Sequence, residues 1–183
     1  MKRLFVLFLF GIAWLGFQVD ALAQIAIPRP MYELTESFVE DDFVWSLTKG
    51  TGVIAGQGFL RAPGGFIKTA EEEEVTLVAK TPYTDEIVAA TRQDGFFDKY
   101  TNVQKDLNYS LYRRVQTADK EGRFRFENLP AGEWYIVTKV IWYMQDESSN
   151  YSYGGGLVWG QITIGEGEVR DNVELNSTVH LAK

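Results

Sequence analysis

The chain has 183 residues, 18 Lys plus Arg against 25 Asp plus Glu, a formal net charge of -7, one histidine and no cysteine. The acidic balance argues against a nucleic-acid partner, which would need a basic stripe to displace counterions. The absence of cysteine excludes a disulfide scaffold, a thiol nucleophile and a zinc-thiolate site, and one histidine makes a histidine triad or metal site improbable.

Residues 1–23 read as a secretory signal. Lys2 and Arg3 supply the positive start, Leu4 to Phe17 is an uncharged apolar run, and Ala21-Leu22-Ala23 is a small-residue cleavage site before Gln24. Asp20 closes the run short of the ~20 residues a spanning helix needs. Cleavage removes Lys2, Arg3 and Asp20 and leaves a charge of -8. No later segment is apolar enough to span, so no membrane span is expected after cleavage. Export without cysteine points to a bacterial periplasm or exterior. Asn108-Tyr109-Ser110, Asn150-Tyr151-Ser152 and Asn176-Ser177-Thr178 are glycosylation sequons that matter only in a glycosylating host.

Residues 24–50 show no clean periodicity and read as an N-terminal arm. Pro28-Arg29-Pro30 favours an extended start. Ser37-Phe38-Val39-Glu40 matches a capping box, but no long apolar face follows. Phe38, Phe43, Val44 and Trp45 are the side chains that would pin the arm to a domain over residues 51–183.

From Thr51 the pattern is one of strands and turns. Thr51 to Phe59 is a glycine-rich strand suited to a bulge or to close backbone approach. Ala62-Pro63-Gly64-Gly65 is a turn. Glu74 to Ala79 alternates, with Val75 and Leu77 on one face. Thr84 to Arg92 has helical spacing and Gly95 beyond it as a stop. Leu111, Arg113 and Val115 share one side of a further strand. In Gly122 to Phe126, Phe124 and Phe126 point inward and Arg123 and Arg125 outward, between turns at Asp119–Gly122 and Leu129–Gly132. Glu133 to Tyr143 is apolar on both faces, which marks a central strand. Gln145 to Gly156 reads as a long loop rich in tyrosine and glycine. Leu157 to Ile164 and Val169 to Leu175 are the last two strands, joined through Gly165-Glu166-Gly167. About seven short strands make an all-β sandwich the expected fold.

The segment Thr117-Ala-Asp119-Lys-Glu-Gly122-Arg-Phe124-Arg-Phe126-Glu-Asn-Leu129-Pro130-Ala131-Gly132-Glu-Trp-Tyr135 resembles the carboxypeptidase regulatory-like domain family. Gly52 to Gly56 looks like that family's first strand, Val75 to Val78 like its second, and Gly167 to Leu175 like its closing strand. The resemblance covers about residues 51–176. It implies a seven-stranded prealbumin-like, Ig-type β-sandwich, used as an accessory module beside peptidases and at cell surfaces. It implies no catalytic residue, and no motif in the sequence places a nucleophile or a base, so the chain is not expected to be an enzyme and no cofactor is assigned. A long insertion between Tyr83 and Leu111 departs from the simplest members and carries the short helix.

Two charge clusters have bland readings. Glu71-Glu72-Glu73-Glu74 is a solvated loop leading into a strand, or a patch for a cation or a basic partner. Asp94-Gly95-Phe96-Phe97-Asp98 is a turn, or a cation loop. Neither has a calcium-loop pattern, and no metal is assigned. His180 lies near the chain end, where a rigid second shell is rare. The aromatic segment 142–159 is the candidate binding region. Tyr143, Tyr151, Tyr153 and Trp159, with Trp142, flank a polar loop and Gly154-Gly155-Gly156. Tyr151 and Tyr153 are two apart and point the same way in an extended segment. Exposed aromatic rings beside polar groups stack on sugar rings. The bland alternative is that the tryptophans are core and the tyrosines cap an edge. Two functions remain open: an exported, non-catalytic module that binds or braces another cell-envelope component, protein or polysaccharide, or a carbohydrate-binding protein that uses the aromatic loop around residues 142–159.

Overall fold

The computed structural model describes residues 31–62, 64–93, 102–145 and 151–176, with the backbone alone at 92–93, 102 and 151–153. The signal segment, Asp94–Asp98 and His180 lie outside these residues. The strands are β1 (Met31–Glu33), β2 (Gly52–Arg61), β3 (Ile67–Thr69), β4 (Glu74–Ala79), β5 (Asn102–Gln104), β6 (Arg113–Thr117), β7 (Arg123–Leu129), β8 (Gly132–Gln145), β9 (Tyr151–Ile164) and β10 (Val169–Leu175). The helices are α1 (Asp41–Leu47) and α2 (Pro82–Gln93), with a 3-10 turn at Leu107–Tyr112.

The fold is all-β, and two four-stranded sheets face each other. In the first, β2 pairs with β10 in parallel and with β7 and β3 antiparallel. The second runs β6-β4-β8-β9, all antiparallel. The facing sheets thus hold eight strands where about seven are expected from sequence. β1 and β5 form a separate parallel pair. β8 is central, as its two apolar faces require.

The core between the sheets takes alternate residues from each strand, because successive side chains point to opposite faces. Ile54 and Leu60 of β2, Phe124 and Phe126 of β7, Val75 and Leu77 of β4, Trp134, Ile136 and Val140 of β8 and Val158 of β9 are all buried there. The glycines of β2 serve close approach. A Cβ on Gly58 would lie 2.8 Å from the Thr138 methyl of β8. One on Gly56 would lie 2.0 Å from the Val173 carbonyl, where β10 bulges between Arg170 and Val173.

The outer face of the second sheet is also covered, and this departs from expectation. Thr76 and Val78 are buried, at 7% and 2% exposed, as are Val75 and Leu77. The cover is a second cluster in which Phe43 of α1, Tyr83, Ile87 and Val88 of α2, Val103, Tyr109 and Tyr112 pack on Val78, Ala79 and Tyr135. The arm and the insertion therefore build a third layer together. Phe38 stacks on Phe43 with ring centroids 5.0 Å apart, and Trp45 meets Trp134 edge-on at 5.0 Å. Val44 does not pin the arm; it is 47% exposed, on the solvent side of α1.

Other local expectations shift for physical reasons. Ser37 caps nothing: α1 begins at Asp41, and the Glu40 carboxylate accepts instead from the Tyr112 hydroxyl. α2 starts at Pro82, two residues early, because the Thr84 hydroxyl accepts from the Thr81 amide and proline suits a first helical turn. Leu111 leaves its strand for the 3-10 turn, where it is 67% exposed.

Candidate functional site

The end of the β8–β9 hairpin brings the aromatic segment and the glutamate run together. The pairing is unbroken from Gly132–Ile164 to Gln145–Tyr151. Gln145 and Tyr151 to Gly156, expected in a long loop over Gln145–Gly156, are therefore strand. Continuous hydrogen bonding to β8 outweighs the turn propensity of three glycines.

Those glycines make room for an indole. A Cβ on Gly154 would lie 2.3 Å from both Nε1 and Cε2 of Trp142, and one on Gly155 would meet Cζ3 at 2.9 Å. Gly155 also has φ +96°, a conformation that side-chain-bearing residues rarely adopt. Trp142 is paired with Gly154 across the hairpin. Its ring rests on bare backbone, so Gly154 and Gly155 are covered by Trp142.

Trp142 and Ile141 line a cleft of about 410 Å³ with Ile67, Lys68 and Thr69 of β3 and Glu71, Glu72 and Glu73. β3 ends there in a tight turn. The Glu73 amide donates to the Ala70 carbonyl at 3.1 Å, and Glu72 takes φ 55°. Glu73 also pairs with Lys139 of β8 at 3.0 Å. Phe66 and Ile67 are 70% and 54% exposed in this hairpin, and Tyr143 is 72% exposed beside Trp142. The cleft thus sets Ile67, Ile141 and Trp142 beside a largely polar lining of Lys68, Thr69 and three glutamates.

The four residues singled out from sequence fare differently. Tyr143 is exposed at the hairpin end. Register sets Tyr153 opposite Tyr143 and Tyr151 opposite Gln145; the side chains of Tyr151 and Tyr153 lie outside the described residues. Trp159 pairs with Val137, six residues further down β8, and packs half-buried against the outer cluster. It does not join the cleft. Ile67, Lys68 and Thr69 are the lining residues that sequence reasoning missed. Their only signal is proximity to the Ala62–Gly65 turn, which does not reveal what β3 packs beside.

Elsewhere, the polar clusters hold the layers together. The Tyr135 hydroxyl donates to Asp85 at 2.6 Å, and Lys80 reaches the same carboxylate at 3.2 Å. The Arg114 guanidinium donates to the Ser46 carbonyl at 2.7 Å and to the Thr48 carbonyl at 3.0 Å, closing the C-terminal end of α1. Burial pushes the Tyr109 hydroxyl up to about 12, so it stays neutral in the third layer.

No family model and no curated protein matches the chain. Among solved structures, the chain is similar to a candidate carbohydrate-binding protein from Pseudomonas aeruginosa, with a TM-score of 0.68 and 25% identity, over 78% of this chain and 99% of that one.

Proposed function

We propose that this chain is an exported, non-catalytic β-sandwich module that binds carbohydrate, with a sugar ring seated in the Trp142 cleft. The observation that carries this reading is the indole of Trp142, backed by the glycine backbone of β9 and bordered by carboxylates and a threonine. An aromatic face offers apolar contact to the C–H side of a sugar ring, and carboxylates accept from its hydroxyls. A ring already held in place loses little freedom on binding. The similarity to a candidate carbohydrate-binding protein supports the same reading, as does the carboxypeptidase regulatory-like resemblance, whose members are accessory modules with a prealbumin-like sandwich.

The test is retention of the purified chain in gels containing envelope polysaccharide. Retention should fall at least ~10-fold, equivalent to ~1.4 kcal/mol, in Trp142→Ala. Retention should stay near that of the parent chain in Tyr143→Ser, because Tyr143 follows Trp142 in β8, points to the other face of the sheet and does not line the cleft. Equal retention of all three chains would sink the proposal.

A second reading, that the module braces an envelope protein, is favoured by a different surface. Leu107 is 91% exposed and Leu111 67% exposed in the 3-10 turn, and Val44 and Leu47 of the adjoining α1 are about half exposed. Apolar side chains grouped on a soluble surface mark contact sites. Leu107→Ser with Leu111→Ser should then abolish recovery of a partner from envelope extracts and leave polysaccharide retention intact.

A further inference from the structure

Given that the Trp142 cleft seats a sugar, as proposed above, its hydrogen-bonding groups bear on which sugar. Among the described residues, three of the lining side chains are carboxylates, Glu71, Glu72 and Glu73, and Lys68 is the one cation. Glu73 is engaged by Lys139, while Glu71 and Glu72 are exposed. Glu72 and Glu73 are set by the turn that follows β3, where the Glu72 amide also donates to the Asp119 carbonyl at 3.3 Å.

An ionised carboxylate accepts hydrogen bonds and donates none. A ring lying on the indole must therefore meet this wall with donors. A hydroxyl offers one. An ammonium offers three and adds charge, and charge-assisted bonds are roughly twice as strong as neutral ones. A uronate carboxylate or a phosphate offers no donor. Its charge would meet Lys68 but stand against three glutamates, on a chain whose net charge is already -7.

We infer that the cleft selects saccharides with a free amine, of the glucosamine type, over their N-acetylated counterparts, and rejects acidic glycans. The indole makes the site, and the carboxylates decide what it takes. Because Glu71 and Glu72 are exposed, the preference weakens as salt rises.

The experiment titrates the mature chain with three tetrasaccharides: β-1,4-linked glucosamine, its N-acetylated form and galacturonate. The amine form should bind at least ~10-fold tighter than the N-acetylated one, which is ~1.4 kcal/mol. Galacturonate should not bind. Glu71→Gln with Glu72→Gln, both exposed positions, should bring the amine form down to the N-acetylated affinity with unchanged melting. High salt should shrink the preference in the parent chain in the same way. If galacturonate binds as well as the amine form, or the double variant keeps the preference, the selectivity is overturned while the sugar-binding reading stands. Amine binding that survives Trp142→Ala in a folded variant would be adsorption to the acidic surface and would overturn it too. Failure of all three sugars to bind would overturn both.

Discussion

Arg123 and Phe124 are neighbours in β7 with opposite surroundings. Phe124 is buried against the core, 6.3 Å from the Phe126 ring, while the Arg123 side chain is 63% exposed and meets Asp119 and Glu121 at 3.9 and 3.5 Å. Phe124→Ala leaves a cavity and should cost ~3–5 kcal/mol. Arg123→Ala loses only solvated ion pairs and should stay within ~0.5 kcal/mol. Denaturant melts check both, and equal midpoint shifts would mean the strand's facing is misassigned. Alternation alone made this pair legible in the sequence. Gly154 was not legible in that way, since a glycine names no partner. In the structure, Gly154→Ala drives a methyl into the Trp142 indole at 2.3 Å. It should therefore lower sugar retention as far as Trp142→Ala does, through displacement of the ring, and should change the near-ultraviolet dichroism of the tryptophans.

At the scale of elements, one carboxylate holds the Thr35–Glu36 stretch of the arm. Glu86 of α2 accepts from the Thr35 amide at 2.9 Å, the Thr35 hydroxyl at 2.9 Å and the Glu36 amide at 2.7 Å. The backbone bonds from Thr35 and Glu36 hold its carboxyl below the usual value of 4.5. A depressed folded-state value means that the stabilisation is complete above the ordinary carboxylate range and is lost as pH falls through the depressed value. Amide exchange at Thr35 and Glu36, taken relative to its intrinsic rate at each pH, should therefore accelerate in acid below the ordinary range. In Glu86→Gln it should be fast already at neutral pH, because the amide's NH2 end cannot accept. Exchange that is identical in parent and variant would show that the arm is held by packing alone. The helix α2 was readable from the spacing of Ile87, Val88 and Thr91. Its role as the arm's anchor was not, since Thr35 and Glu86 are 51 positions apart and no local pattern joins them.

At the scale of the whole molecule, a sandwich core and a third aromatic layer share one sheet. Trp45 packs against both clusters, and a Cβ on Gly132 would lie 2.3 Å from its ring. The motif glycine of Leu129–Gly132 thus also admits the arm. Gly132→Ala should loosen the arm and the sandwich end together, seen as a single cooperative melt at lower temperature. Two separated transitions would mean that the layers fold independently. Processing is tested at this scale as well: in a bacterial host, periplasmic or secreted material should begin at Gln24, and retention of residues 1–23 on membrane-bound protein would refute export by cleavage.

The sequence by itself determined the strands whose partners are near or whose pattern is strict. Phe124 and Phe126 alternate with arginines, β8 is apolar on both faces, and Asp119–Gly122 and Leu129–Gly132 turn the chain. These follow from side-chain period and turn chemistry, which are local. Tertiary structure alone decided the rest. It buried the second face of β4 under Phe43 and Tyr83, stretched β9 back through three glycines to Tyr151, and separated Trp159 from Tyr143. It also set Glu71–Glu73 beside Trp142, some 70 positions away. Each of these depends on contact between segments far apart in the chain, where burial and hydrogen bonding to a neighbour outweigh local preference.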